Sequence, residues 1–356
     1  MSWLLAFAGF AALIILHEAG HMVAAKAVGM RVERFFLFFP PKIWSVRRGE
    51  TEYGIGAIPL GGFVKITGMN PDEELPPDVA ARGYYHQPVW KRIVVIAAGP
   101  AVNLAIAFVI LFFLAFDVAE PTNTVESVRP NSPAASILRP GDELVAVDGQ
   151  RGELTELRDQ IATHECPGEQ TQGCRAETPA ELTVIRDGRE VTLRPVKPEY
   201  DTEADRPLLG FAYGTQPLDP GVAGAAEWSA DRMWDVTSQT VSIIARIFDP
   251  EQREQISGVV GSYEVTRQSI EFDTRQALFV LAIISLSLAV INLFPFLPLD
   301  GGHIFWSLVE KVRGKPVPFR VMERASVIGF ALVLVLFVIG LSNDIDRLSG
   351  EGFDVR

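Results

Sequence analysis

Two histidines four residues apart, His17 and His21, bracket Glu18 in the run Leu13-Ile14-Ile15-Leu16-His17-Glu18-Ala19-Gly20-His21. On a helix, positions i and i+4 share a face, so both imidazoles can ligate one zinc ion. Glu18 is placed between them to take a proton from a water that the metal activates. Residues 2–16 carry no charge at all, so the triplet sits in an apolar run. Ionisable groups at membrane depth default to a functional role. A buried structural pair of histidines is the competing account, and the test is a third ligand elsewhere in the chain.

A second stretch offers one: Asn292-Leu293-Phe294-Pro295-Phe296-Leu297-Pro298-Leu299-Asp300-Gly301-Gly302-His303. Its prolines must break a helix and free backbone groups that need new partners. Asp300 and His303 both compete for the ligand role. Asp300 is favoured, because two histidines, a carboxylate and a water leave the open position that catalysis requires.

The elements that must position these residues are membrane helices. Four apolar spans, about 2–25, 93–116, 277–299 and 325–341, have the roughly 17–25 residues needed to cross hydrocarbon. The first lacks a basic N-terminal region and an A-x-A-type exit, so it is expected to be a retained span rather than a cleaved signal. The chain carries a net charge of −12, which argues against nucleic-acid partners. That charge is uneven. Residues 117–275 hold 29 Asp and Glu against 15 Lys and Arg, whereas 26–92 hold 10 basic against 7 acidic. The loop 310–324 holds five basic residues against two acidic ones. By the positive-inside rule, 26–92 and 310–324 are cytoplasmic, and 117–275 and both termini lie outside. Spans one and three then both run inward, which brings Asp300 to the depth of His17 and His21.

The expected fold is an α-helical membrane protein with four transmembrane helices, a membrane-dipping β-loop and an inserted extracytoplasmic α+β domain. The segments are 1–30, the first helix with its motif; 31–92, a cytoplasmic-side re-entrant β-loop and connector; and 93–118, the second helix. Then come 122–198, the inserted domain; 199–275, external juxtamembrane helices; and 276–303, the third helix. A cytoplasmic loop (304–324), the fourth helix (325–342) and an external tail (343–356) complete the chain.

Within the loop, Phe35-Phe36-Leu37-Phe38-Phe39-Pro40-Pro41 is too short to span and reads as interfacial or re-entrant. Residues 52–66 follow as a β-type pattern broken by glycines, expected to dip toward the metal with an open edge for an extended peptide. A cytoplasmic hairpin without that role is the alternative. Asn103, in Gly99-Pro100-Ala101-Val102-Asn103, needs a partner in a membrane helix, either in the metal cavity or between helices. Trp228, Met233, Trp234, Ile243, Ile244, Ile247 and Phe248 recur at helical spacing in the external segment. Cys166 and Cys174, the only cysteines, are a candidate disulfide in an oxidising compartment, with two free thiols as the alternative.

Two resemblances add to this. Ser132-Pro133-Ala134-Ala135 with Leu138-Arg139-Pro140-Gly141-Asp142-Glu143-Leu144-Val145-Ala146-Val147-Asp148-Gly149, followed by a 182–193 hairpin with an Asp-Gly turn, resembles a PDZ domain of the bacterial type. Such a domain implies a groove that takes a peptide end by strand addition. A cap that binds nothing is the alternative.

The ordered set of His-Glu-x-x-His, Gly99 to Asn103, the PDZ-like insertion and Asn292 to His303 resembles the site-2 protease family of intramembrane zinc metalloproteases. The resemblance implies one zinc ion held by His17, His21 and Asp300, with Glu18 as catalytic base. It makes Asn292 a substrate-positioning side chain and 52–66 a substrate clamp, with Gly61, Gly62, Phe63, Val64 and Asn103 as further positioning residues. The implied activity is hydrolysis within transmembrane segments of pre-cleaved single-span proteins, such as anti-sigma factors and remnant signal peptides. The implied setting is a bacterial inner or plasma membrane, where an upstream site-1 protease acts on the same substrates. A non-catalytic scaffold using the PDZ-like groove is the rival, and Glu18 argues against it, since a structural metal site needs no base. Two departures stand out. The second proline after Asn292 falls one place late, at Pro298, and Val259 stands where the family commonly has proline.

Overall fold

The computed structural model describes residues 2–70, 73–202, 204–246, 249, 256 and 258–350. Ile247 and Phe248, and the tail from 351 onward, lie outside the described residues. The chain forms two compact units, one of residues 1–115 with 222–356 and one of 116–221.

The first unit opens with helix α1 (Ser2–Ala27), then strands β1 (Val32–Arg48) and β2 (Thr51–Ile66), then helix α2 (Val89–Leu114). The inserted unit holds β3 (Ala119–Val128), β4 (Glu143–Val147), β5 (Gln150–Arg151), α3 (Leu154–Ala162), β6 (Leu182–Arg186) and β7 (Arg189–Thr192). It closes with β8 (Glu199–Asp201), β9 (Arg206–Leu208) and β10 (Phe211–Pro217). The first unit resumes with α4 (Gly221–Ala245), α5 (Val259–Phe272), α6 (Thr274–Asn292), α7 (Asp300–Arg313) and α8 (Phe319–Ser349).

Among the described residues, four helical stretches are long and apolar enough to cross a membrane: Ser2–Ala27, Val89–Asp117, Thr274–Asn292 and Arg320–Ser349. Large apolar side chains on α8, among them Val327, Ile328 and Phe330, are more than half exposed. In water such a stripe would be a liability, but against lipid it is the expected surface.

Several boundaries differ from the sequence expectation. The third span ends at Asn292, three residues before Pro295, and a new helix starts at Asp300 and runs to Arg313, so 304–313 is helix rather than loop. Gly314, with φ +66°, stops it in the left-handed cap that glycine tolerates. The last helix runs to Ser349 rather than 342. Asp344 is fully buried there and accepts from the backbone N–H groups of Gly258 (3.0 Å) and Gly261 (2.7 Å), capping the start of α5. A buried cap looks like an ordinary polar tail in sequence. The helices expected from 199 also begin later, at Gly221, because 199–217 hold strands of the inserted unit.

Phe35 to Pro41 lies within β1. The two strands pair antiparallel, and the register folds back on itself. Phe35 lies opposite both Tyr53 and Val64, and Phe36 opposite both Gly54 and Phe63. Residues 34–37 are thus flanked on two sides, leaving 62–65 as an outer edge. Phe63 is stacked between Phe36 (5.4 Å) and Phe39 (6.0 Å), which stiffens that edge.

The inserted unit is an antiparallel sheet in the order β10-β3-β4-β6-β7, with β5 on β4. Its two tight hairpins turn at Asp148-Gly149 and Asp187-Gly188, all four residues at positive φ, as a two-residue primed turn requires. Leu157 and Ile161 of α3 pack on Val125, Leu144, Val147, Leu182 and Val184. Cys166 and Cys174 are joined, with sulfurs 2.09 Å apart, and the loop they close pairs with β8 through Gly173 N–H to Tyr200 O and Tyr200 N–H to Cys174 O.

Asp142 is 2% exposed. It accepts from the Arg139 backbone and from two nitrogens of Arg186, each at 2.7 Å. Burial alone would raise its pKa, but these donors outweigh it and hold the carboxyl below its ordinary value. Asp142→Ala removes the acceptor of these charge-assisted bonds and leaves the partly exposed Arg186 unpaired, so it should destabilise this unit by about 2 kcal/mol at pH 7, read as a lower unfolding temperature. The contribution is complete above about pH 4, the ordinary carboxyl value, and fades as pH falls through the lowered one. The gap between wild type and variant should therefore close in acid.

Candidate metal centre

Helix α1 presents His17 and His21 one turn apart on one face, both 7% exposed. The first residue of α7, Asp300, meets them. His17 Nε2 and His21 Nε2 each lie 3.3 Å from Asp300 Oδ2, and 3.3 Å from each other. Among the described residues this is the grouping of His, Cys, Asp or Glu able to hold a metal. A tetrahedral ion with bonds of about 2.0–2.1 Å sets its ligand atoms about 3.3–3.4 Å apart, so the triangle has the edge length zinc requires.

Hydrogen bonding points the same way. His21 Nδ1 lies 2.9 Å from the Val95 carbonyl and must carry its proton there, leaving the Nε2 lone pair facing Asp300. Among the described residues, Asp300 Oδ2 and His17 Nδ1 are buried without a hydrogen-bond partner. A lone pair facing a partnerless carboxylate oxygen is an arrangement that a cation resolves. The residues present therefore fit the metal.

Close backbone approach makes the triangle possible. A Cβ on Gly99 would strike the His21 ring, and one on Gly20 would lie 2.6 Å from the Ala98 carbonyl. On α7, a Cβ at Gly301 would collide with the Leu293 carbonyl, and one at Gly302 would come within 2.5 Å of Leu297 N. These two glycines let the 293–299 loop fold onto the start of α7, which delivers Asp300 to α1.

Glu18 is half-buried and faces the β2 edge. A Cβ on Gly62 would lie 3.0 Å from Glu18 Cγ, and the Val64 backbone amide interacts with the carboxylate. The structure thus brings Glu18, Gly62 and Val64 together, with Gly61 and Phe63 on the same run. Asn292 is the half-buried last residue of α6, at the head of the loop that leads to Asp300. Asn103 is fully buried, and its backbone carbonyl accepts from Ser285 Oγ of α6 at 3.0 Å. Its side-chain oxygen and nitrogen have no partner among the described residues. His303 lies on α7 but outside the triangle.

The sequence reading missed Gly20, Gly99 and the Val95 carbonyl. Only Gly99-Pro100 inside an apolar helix hinted at a close approach, and a backbone acceptor leaves no mark in side-chain types.

A buried two-histidine, one-carboxylate triangle with a glutamate beside it, on apolar helices, defines a membrane metallohydrolase site. The sequence profile of peptidase family M50 matches residues 5–336. The zinc metalloprotease Rip1 of Mycobacterium tuberculosis is 31% identical over 354 residues, covering 84% of this chain and 83% of that protein. Rip1 of Mycolicibacterium smegmatis is 30% identical over 366 residues, covering 89% and 87%. A Nostoc protein carrying a provisional zinc-metalloprotease name is 31% identical over 371 residues, covering 99% and 98%. The chain belongs to peptidase family M50, the site-2 proteases, and is a zinc metalloprotease of the membrane.

Gly99→Ala should push the His21 ring out of the triangle. Zinc affinity, measured by competition with a chelator, is expected to fall by about 10–100-fold, the usual effect of disturbing what orients a ligand.

Proposed function

We propose that this protein hydrolyses peptide bonds inside the transmembrane segments of single-span membrane proteins already shortened outside by another protease. The observation that carries the reading is the His17, His21 and Asp300 triangle on apolar helices, with Glu18 set between it and an open strand edge. In this reading the triangle holds the zinc ion, which when bound lowers the pKa of water and polarises the substrate carbonyl. Glu18 accepts the proton of the attacking water and passes it to the leaving amine.

A helical peptide bond is shielded by its own hydrogen bonds, so the substrate must be extended before attack. The 62–65 edge lies on the outer side of the ribbon beside Glu18 and is the surface offered for that purpose, where Gly62 has no side chain to bar a chain from the carboxylate. Asn292, by family resemblance, positions the substrate or steadies its developing oxyanion. Asn103 takes a supporting place between helices, where its carbonyl receives Ser285.

The basic bias of 26–92 and 310–324 supports an active site toward the cytoplasmic side, with the inserted unit and both termini outside a bacterial inner or plasma membrane. The inserted unit is PDZ-like in this reading. Its two Asp-Gly hairpins and its helix over the sheet support that, as does the edge position of β10. Its role is to exclude substrates whose external part is still intact. A non-catalytic scaffold does not fit a chain of a zinc-protease family that retains Glu18.

The test is cleavage of one single-span substrate, full-length or pre-shortened, by the purified enzyme in detergent. Wild type should cut the shortened form alone, stop when a chelator removes zinc and resume when zinc returns. Excising 119–217 should let the full-length form be cut as well. Undiminished cleavage without metal would contradict the mechanism, and unchanged discrimination after excision would contradict the excluding role.

A further inference from the structure

Arg92 is a charged residue in the first turn of α2, yet only 2% exposed. Its two terminal nitrogens donate to the two carboxylate oxygens of Glu310 on α7, at 3.0 and 2.6 Å. Its guanidinium also lies over the rings of Tyr84 (5.9 Å) and Tyr85 (5.3 Å). A planar fork that is both bidentate and stacked fixes orientation as well as distance. Stability alone is a poor account of such a pair, because well-packed apolar residues in place of a buried ion pair are often as stable or more so.

The position of the pair is informative. Arg92 stands one turn before Val95, whose carbonyl fixes His21, and two turns before Gly99, which receives the His21 ring. Glu310 is on the helix whose first residue is Asp300. The pair therefore joins the helix that orients one member of the triangle to the helix that carries another.

The glycine contacts hold the start of α7 against its loop, and Ile304, Trp306 and Val309 pack along its length, yet apolar contacts that can slide leave the helix some freedom to turn about its axis. A turn of 20° moves a side-chain atom at a radius of about 5–6 Å by about 2 Å. Metal sites tolerate about 0.2 Å. A bidentate, stacked clamp near the far end of α7 removes that freedom.

We propose that Arg92 and Glu310 are positioning residues for zinc, holding α7 in the rotation that sets Asp300 at ligand distance from His17 and His21. This rests on the reading of that triangle as the zinc site.

The experiment uses the full chain in detergent and two kinds of variant. Arg92→Lys keeps the charge but loses the fork. The double variant Arg92→Met with Glu310→Met removes the pair without stranding a charge, so it is expected to fold. The readouts are the rate of zinc release to excess chelator and the visible absorption of the cobalt(II)-substituted protein, which reports ligand geometry. Circular dichroism at the assay temperature checks folding.

Zinc release about tenfold faster in both variants, with an altered cobalt spectrum and unchanged helix content, is the expected result. Wild-type release and spectrum in the folded double variant would overturn the proposal, whatever happens to its unfolding temperature. Asp300→Asn runs in parallel. If it too releases zinc at the wild-type rate, the ligand assignment has failed and the positioning role falls with it. Fast release from Asp300→Asn beside wild-type release from the double variant would overturn the positioning role alone.

Discussion

Three donor atoms held 3.3 Å apart in an apolar interior are the condition on which the rest of the helical unit depends. Two imidazole nitrogens and a carboxylate oxygen that close and buried form an arrangement that a shared cation satisfies. Meeting the condition requires backbones closer than ordinary side chains allow. Gly20 and Gly99 provide that between α1 and α2, and Gly301 and Gly302 between α7 and the 293–299 loop. In lipid, small residues at helix contacts also supply the packing that water would otherwise drive. The same glycines therefore serve both assembly and metal geometry.

The β1–β2 ribbon brings a strand edge to the helix that carries the base. It can do so because β1 bends and pairs with β2 on both sides, and because Phe63 is stacked between two phenylalanines. An edge with free N–H and C=O groups is normally an aggregation hazard. Here that edge lies beside Glu18, with Gly62 and Val64 next to its side chain.

Much of this was readable in the chain. The i, i+4 histidines, the four apolar spans and Asp300 directly after the third of them are all legible in the chain. The Asp187-Gly188 turn was visible, since positive φ at consecutive residues leaves few alternatives, whereas Asp148-Gly149 was read only as part of the PDZ-like run. What stayed hidden depends on tertiary contact. The Val95 carbonyl has no side-chain signature, and Asp344 looked like a polar tail until its backbone partners on α5 were seen. The inserted unit extends past 198 because β10 returns to pair with β3, and Phe211 to Pro217 gives no local sign of that long-range pairing. The break after Asn292 was expected from the prolines, but the restart at Asp300 follows from glycines that admit the loop.

The central claim is that Glu18 does the proton transfer while His17, His21 and Asp300 hold the metal. The most direct measurement is cleavage of a pre-shortened single-span substrate by wild type and Glu18→Gln at matched zinc content. The account predicts zinc bound equally in both and a turnover number lower in the variant by about a hundredfold to ten-thousandfold, the range for losing a positioned general base. Equal turnover with zinc in place would contradict it.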